Sequence, residues 1–201
     1  MQRKKKYKVQ LLFGLLFTIG FVCFLIPAFQ KQKTIQMERQ KIDDFFRQPL
    51  QQEEDVVTLS NSKKEESYIA VVDIPKIHLK KGLFAIHHPS NHVDYNIMIL
   101  KESDMPDIET GNFILAAHSG IGNVAYFRKM NQLEIGDDAS IYYQGIEYVY
   151  QVINIYDVEK TGKVSIHRNF NQTTLTMITC KDGTNQQIVV VAELVEKNPY
   201  R

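Results

Sequence analysis

The octapeptide TMITCKDG, residues 176–183, holds Cys180, one of two cysteines in the chain. The alternation of Thr, Met, Ile and Thr reads as a strand, and Asp182-Gly183 reads as the turn that ends it. A thiol at a strand end has four readings: a small buried hydrophobe, half of a disulfide, a metal ligand, or a nucleophile. His118 has a matching placement. It closes the apolar stretch FILAAH and precedes the small-residue loop SGIGN. As thiolate and imidazole the two would form a nucleophile–base pair, the arrangement that divides acyl transfer into two easier steps. Spacing alone leaves that reading open against a satisfied loop histidine and a core cysteine.

A third cluster suggests metal ligation. His87, His88 and His92 lie in HHPSNH. Pro89 prevents a regular helix there, and Asp94 is the only carboxylate beside them, so a surface loop is the better reading. No metal or other cofactor is expected. His78 and His167 lie in polar surroundings and suggest no role.

The elements that would position these side chains begin near Tyr68. YIAVVDIP stops at Pro75, and IHLKKGLF, NIMILKE and GNFILAAH follow at short intervals. DASIYYQGIEYVYQVINIYDV reads as a long hairpin turning at Gln144-Gly145. TLTMITC and QIVVVAELV complete the series, and VAYFRKMNQL is one short helix or turn. Strands at this density with few helical patterns between them predict an antiparallel all-β sandwich or barrel over residues 68–201.

The N-terminal third has a different texture. Residues 1–8, MQRKKKYK, are a basic tail, and the run from Leu11 to Phe29 carries no charge. A helix of that length rises about 28 Å, roughly the thickness of a bilayer's hydrocarbon core. IPAFQK lacks the small-residue pattern of a signal cleavage site. Apolar residues continue past Cys23, against a lipoprotein signal. The expectation is an uncleaved anchor over 9–29, with the N-terminus in the cytoplasm and the remainder outside. Residues 30–67 then form a spacer, helical over IQMERQKIDDFF and loose after Pro49. With Cys23 in the bilayer, Cys180 has no intramolecular disulfide partner and lacks a second thiol for a metal site. The net charge of +1 excludes a nucleic-acid binder driven by bulk charge.

The stretch from about Tyr68 to Val195 resembles a sortase, the membrane-anchored cysteine transpeptidase of Gram-positive bacteria. Thr176-Met177-Ile178-Thr179-Cys180 is similar to the family's T-L-x-T-C strand end, with Met in place of Leu. NFILAAHSG resembles the strand and loop that carry the family histidine, and IPKIHL and NIMILKESDMPDIETGN resemble the strands before it. The resemblance implies a closed or nearly closed antiparallel barrel with short helices. It implies Cys180 as nucleophile, His118 as proton carrier, and Thr179 in contact with the substrate backbone or oxyanion. It also implies an Arg at the start of the strand after the cysteine. Aligning the apolar runs puts Gln187 there instead, with Arg168 as a possible substitute cation and Lys181 as the nearest charge in sequence.

The implied activity is cleavage of a C-terminal LPxTG-like sorting signal on another secreted protein. A thioacyl intermediate is then passed to an amine of a cell-wall precursor or a pilin. The polar end VEKNPYR points away from the pilin-polymerising branch, and the short loop before the cysteine strand leaves no room for the long helix of the haem-related branch, so the expectation is a housekeeping or class-D-like anchoring enzyme. Two alternatives stand beside it: a secreted thiol hydrolase using the same pair, and a weakened sortase-like module that only binds peptides, suggested by Gln187. A structural β-domain on a stalk would leave the lone thiol unexplained.

Overall fold

The computed structural model describes residues 2–47 and 67–200. Its elements are a helix α1 (Gln2–Arg47) and eight strands: β1 (Ala70–Ile74), β2 (Leu79–Leu83), β3 (Met98–Ile99), β4 (Asn112–Ala116), β5 (Asp138–Tyr143), β6 (Ile146–Glu159), β7 (Thr174–Lys181) and β8 (Gln186–Pro199). Two single 3-10 turns, at Pro75–Ile77 and Met130–Gln132, are the other helical pieces among the described residues. The strands form one sheet in the order β2-β1-β5-β6-β8-β7-β4-β3. The sheet curls into a nearly closed barrel whose two edges are tied by Asn96, which donates from Nδ2 to Gly82 O at 2.8 Å.

Local signals account for the regular parts. Pro75 has no N–H to give a ladder, so β1 ends at Ile74 and the chain turns. Gln144 and Gly145 both take positive φ, 48° and 81°, the two-residue turn that matches strand twist, and β5 and β6 pair from Tyr143↔Ile146 outward. Gly82 is required sterically: a Cβ there would lie 2.0 Å from the Tyr68 ring.

The barrel departs from the expected antiparallel order at one place. β4 and β7 run parallel, from Asn112↔Thr174 to Ala116↔Ile178. Parallel neighbours need a long crossover, and β5 and β6 lie within the chain that joins these two.

Several strands are apolar on successive residues rather than alternate ones, because both of their faces are covered. Ala70, Val72 and Ile74 enter the main core with Phe113, Leu115, Leu175 and Met177, whereas Val71 faces a second cluster with Ile42 and Phe45. The chain divides into compact units of residues 1–40 and 41–201. The last seven residues of α1, expected to be spacer, therefore belong to the globular unit and cap β1. Residues 48–66 of the expected spacer lie outside the described residues. The expected anchor falls on α1, and most of its side chains, Cys23 included, also lie outside them. Among the described residues no helix is long and apolar enough to cross a membrane.

Candidate active site

The parallel pair β4/β7 brings Cys180 and His118 together. Their register holds a constant offset of 62 positions across five pairs. Two further bonds extend it past the end of β4: Ala117 N–H to Ile178 O at 3.3 Å, and Thr179 Oγ1 to Ala117 O at 2.8 Å. His118 follows two residues past the end of β4, beside the end of β7 that carries Cys180. Side chains alternate, so the face can be read from neighbours. Phe113, Leu115 and Ala117 point into the main core, and Ile114 points out into a cluster with Ile178, Val189 and Val191. Cys180 shares that outer face with Ile178. Cys180 is half-buried and is a free thiol.

Beyond the strands, Ser119 Oγ donates to Asp182 Oδ1 at 2.8 Å, joining the loop after His118 to the turn after Cys180. Ser119 is buried. Arg128 holds the same His118 loop from its other side, donating from Nε to Gly120 O at 3.1 Å and from Nη2 to Gly122 O at 2.6 Å. The His118 ring is engaged as well: Nε2 lies 3.1 Å from Asp94 Oδ1.

The outer apolar strip leads away from the thiol along the sheet. Val164 and Ile166, in the loop between β6 and β7, pack against it. Tyr156 holds that loop in place. Its hydroxyl donates to Ser165 O at 2.9 Å and accepts from His167 N–H at 2.8 Å, and its ring stacks on His167 at 4.6 Å. Burial raises the Tyr156 phenol above its ordinary value, with the His167 N–H bond opposing. His167, expected to have no role, thus serves as a stacking partner. The arrangement is an apolar cluster covered by a loop, next to the strand end that carries the thiol.

The comparisons with known proteins agree with this architecture. The family model described as the sortase domain matches residues 72–195. The chain belongs to the sortase family. Among solved structures, sortase A of Listeria monocytogenes is 20% identical with a TM-score of 0.57, covering 67% of this chain and 91% of its own. A Clostridium perfringens sortase D5 transpeptidase is 20% identical with a TM-score of 0.59, covering 80% and 99%. Sortase E1 of Streptomyces coelicolor, solved with a tripeptide in the active site, is 25% identical with a TM-score of 0.54, covering 66% and 90%. No curated protein matches.

As a sortase, the chain departs from the residue roles that resemblance implies. Gln187 lies directly across from Cys180 in the β7/β8 ladder. Opposed residues share a face, so the amide stands beside the thiol where the family pattern calls for a guanidinium. The Thr179 side chain points to the opposite face of β7 from Cys180. It has the opposite parity to Cys180, is buried, and spends its hydroxyl on Ala117 O. Its hydroxyl clamps β7 to the end of β4.

Arg168 is not a substitute cation. Its Nη1 donates to Thr110 O at 2.9 Å and lies 3.3 Å from Thr174 Oγ1, at the opposite end of β7. Six residue steps along β7 separate Thr174 from Cys180, about 20 Å. Lys181 also faces away from the thiol and pairs with Asp157.

In the histidine-rich loop, His88 stacks on Phe84 at 4.3 Å and accepts from Ser90 N–H. Among the described residues no group of three or more His, Cys, Asp or Glu is arranged to hold a metal ion. Sequence reasoning missed Asp94, Ser119, Asp182 and Arg128 as neighbours of the site. In the sequence Asp94 reads only as the lone carboxylate beside the histidines.

Proposed function

We propose that this sortase-family chain is a cysteine transpeptidase acting on a C-terminal LPxTG-like sorting signal. The β4/β7 pairing, which sets the segment carrying His118 beside the strand carrying Cys180, supports this reading. Cys180, as thiolate, attacks the scissile carbonyl, and the tetrahedral oxyanion accepts donors from its surroundings, the Gln187 amide among them. His118 gives its proton to the leaving amine, and the carbon–nitrogen bond breaks to leave a thioester on Cys180. An incoming amine, from a cell-wall precursor or a pilin lysine, attacks the thioester and loses its proton to His118. The new amide departs and the thiolate returns.

Similar solved proteins support a transpeptidase reading: a transpeptidase from Clostridium perfringens, and a Streptococcus pneumoniae sortase C described with pilin substrate specificity. In this reading the uncharged run from Leu11 to Phe29 holds the chain at the membrane, with the basic tail in the cytoplasm and the barrel outside. The exposed Phe17, Phe21, Phe24 and Phe29 on α1 support that placement.

Gln187 favours one second reading, a sortase-like module that binds sorting peptides without turning them over. The test uses the full chain in detergent with a sorting peptide, with and without an added amine. The transpeptidase reading expects an amide of the added amine, lost in Cys180→Ala. Carboxylic acid alone in both arms would make the chain a hydrolase, and peptide binding without product would make it a binding module.

A further inference from the structure

The loop between β2 and β3 is built to hold one carboxylate at the His118 ring. Asn91 and Asn96 are both buried and stand on either side of Asp94. Asn91 Nδ2 donates to Ile86 O at 3.0 Å and to Ile99 O at 2.9 Å, and its Oδ1 accepts from Ile99 N–H at 2.8 Å. Asn96 ties the other side to Gly82 O at 2.8 Å. Tyr95 and Asn96 both donate their N–H to His92 O, closing a tight turn with Asp94 inside it. Four side-chain bonds to backbone thus fix the segment that presents Asp94. Isolated surface ion pairs between flexible side chains have no such frame and contribute little.

Resting on the transpeptidase reading above, we infer that Asp94 is a positioning residue for His118, fixing which ring nitrogen moves the proton. An ionised carboxylate only accepts hydrogen bonds. The 3.1 Å contact between Asp94 Oδ1 and His118 Nε2 therefore requires the proton on Nε2. In the neutral ring Nδ1 is then bare, and it is the nitrogen that takes a proton from the thiol or the incoming amine and returns one to the leaving amine. When the ring is doubly protonated, the carboxylate faces the cation. His92 does not compete for the carboxylate. Its Nδ1 accepts from Asp94 N–H at 3.3 Å, so the 3.5 Å approach of that nitrogen to Asp94 Oδ2 carries no donated proton.

The side chains of His118 and Asp94 are 44% and 63% exposed. Solvent screening therefore places the effect well below that of a buried pair, on the order of tenfold in rate. The test compares the full chain in detergent with Asp94→Ala and Asp94→Glu, reading the His118 ring nitrogens by 15N NMR at pH 8, with His118→Ala to assign the signals. The expected result is a proton on Nε2 in the wild type, mixed tautomers in Asp94→Ala, and partial return in Asp94→Glu. Peptide-to-amine transfer should lose about tenfold in kcat in Asp94→Ala with KM within twofold. A loop merely disturbed in shape would shift KM and leave the tautomer alone. The same tautomer in wild type and Asp94→Ala, or a wild-type proton on Nδ1, overturns the assignment. A wild type that processes no peptide would overturn the functional reading, while the NMR comparison would still decide the role of Asp94.

Discussion

Replacing Gln187 by Arg should accelerate this enzyme. Gln187 stands opposite Cys180 in the ladder, so its amide and the thiol leave the same face with Cβ atoms about 5 Å apart. Its neighbour on the other side is Val158, which brings no competing charge. Lys181, the nearest cation in sequence, faces the other way and is neutralised by Asp157, so a guanidinium at 187 meets no like charge there. A neutral amide hydrogen bond contributes about 0.5–1.5 kcal/mol net, and a charge-assisted one about 1.5–3. The difference, about 1.5 kcal/mol, corresponds to roughly tenfold in rate when the charge develops only in the transition state. Gln187 is partly exposed, which screens the gain towards about threefold. Gln187→Ala, which removes the donor, should lose on the order of tenfold to a hundredfold. The assay is kcat/KM for transfer of a sorting peptide to a saturating amine, with circular dichroism confirming equal folding. If the Arg variant were folded but no faster, and the Ala variant no slower, position 187 would not contact the reacting carbonyl.

Arg168→Ala should lower the unfolding midpoint, because it strips donors from Thr110 O and Gly111 O, yet leave kcat/KM within twofold at temperatures where the variant is folded. Tyr150 is fully buried and its hydroxyl has no partner among the described residues, so Tyr150→Phe should be neutral or stabilising by about 1 kcal/mol in denaturant unfolding. The same burial raises the Tyr150 phenol above 10, so the folded state keeps its proton where the unfolded chain loses it. Its contribution is intact below about pH 10 and is lost above that pH at up to about 1.4 kcal/mol per pH unit, a loss that Tyr150→Phe should reduce when unfolding is followed against pH.

Much of the strand pattern was legible in the sequence because its signals are local. Pro75 ends β1, Gln144-Gly145 turns the long hairpin, and Gly183 with φ 72° turns the chain after β7. Parity was legible too: Thr179 must face opposite to Cys180 in any extended strand, so its inward hydroxyl follows from alternation that resemblance to a motif had obscured. The parallel β4/β7 pairing was not legible, since no local signal specifies which of several apolar strands lie side by side. Nor were the covers of the two-sided strands. Ile42 and Phe45 carry a helical period, but nothing in the sequence says that their apolar face is completed by Val71 and Phe84. Arg168 was misjudged for the same reason: a loop residue's distance from a strand end depends on which end the loop serves. Asp94 was visible only as an isolated carboxylate, because its partner stands 24 positions away on another strand's end.

The most direct measurement is the mass of the full chain after brief exposure to a sorting peptide without amine, followed by peptide mapping. The account predicts one acyl group, carried by the fragment containing Cys180, released by hydroxylamine and by amine addition, and absent from Cys180→Ala. An unmodified Cys180 together with continued product formation in the Cys180→Ala protein would contradict it.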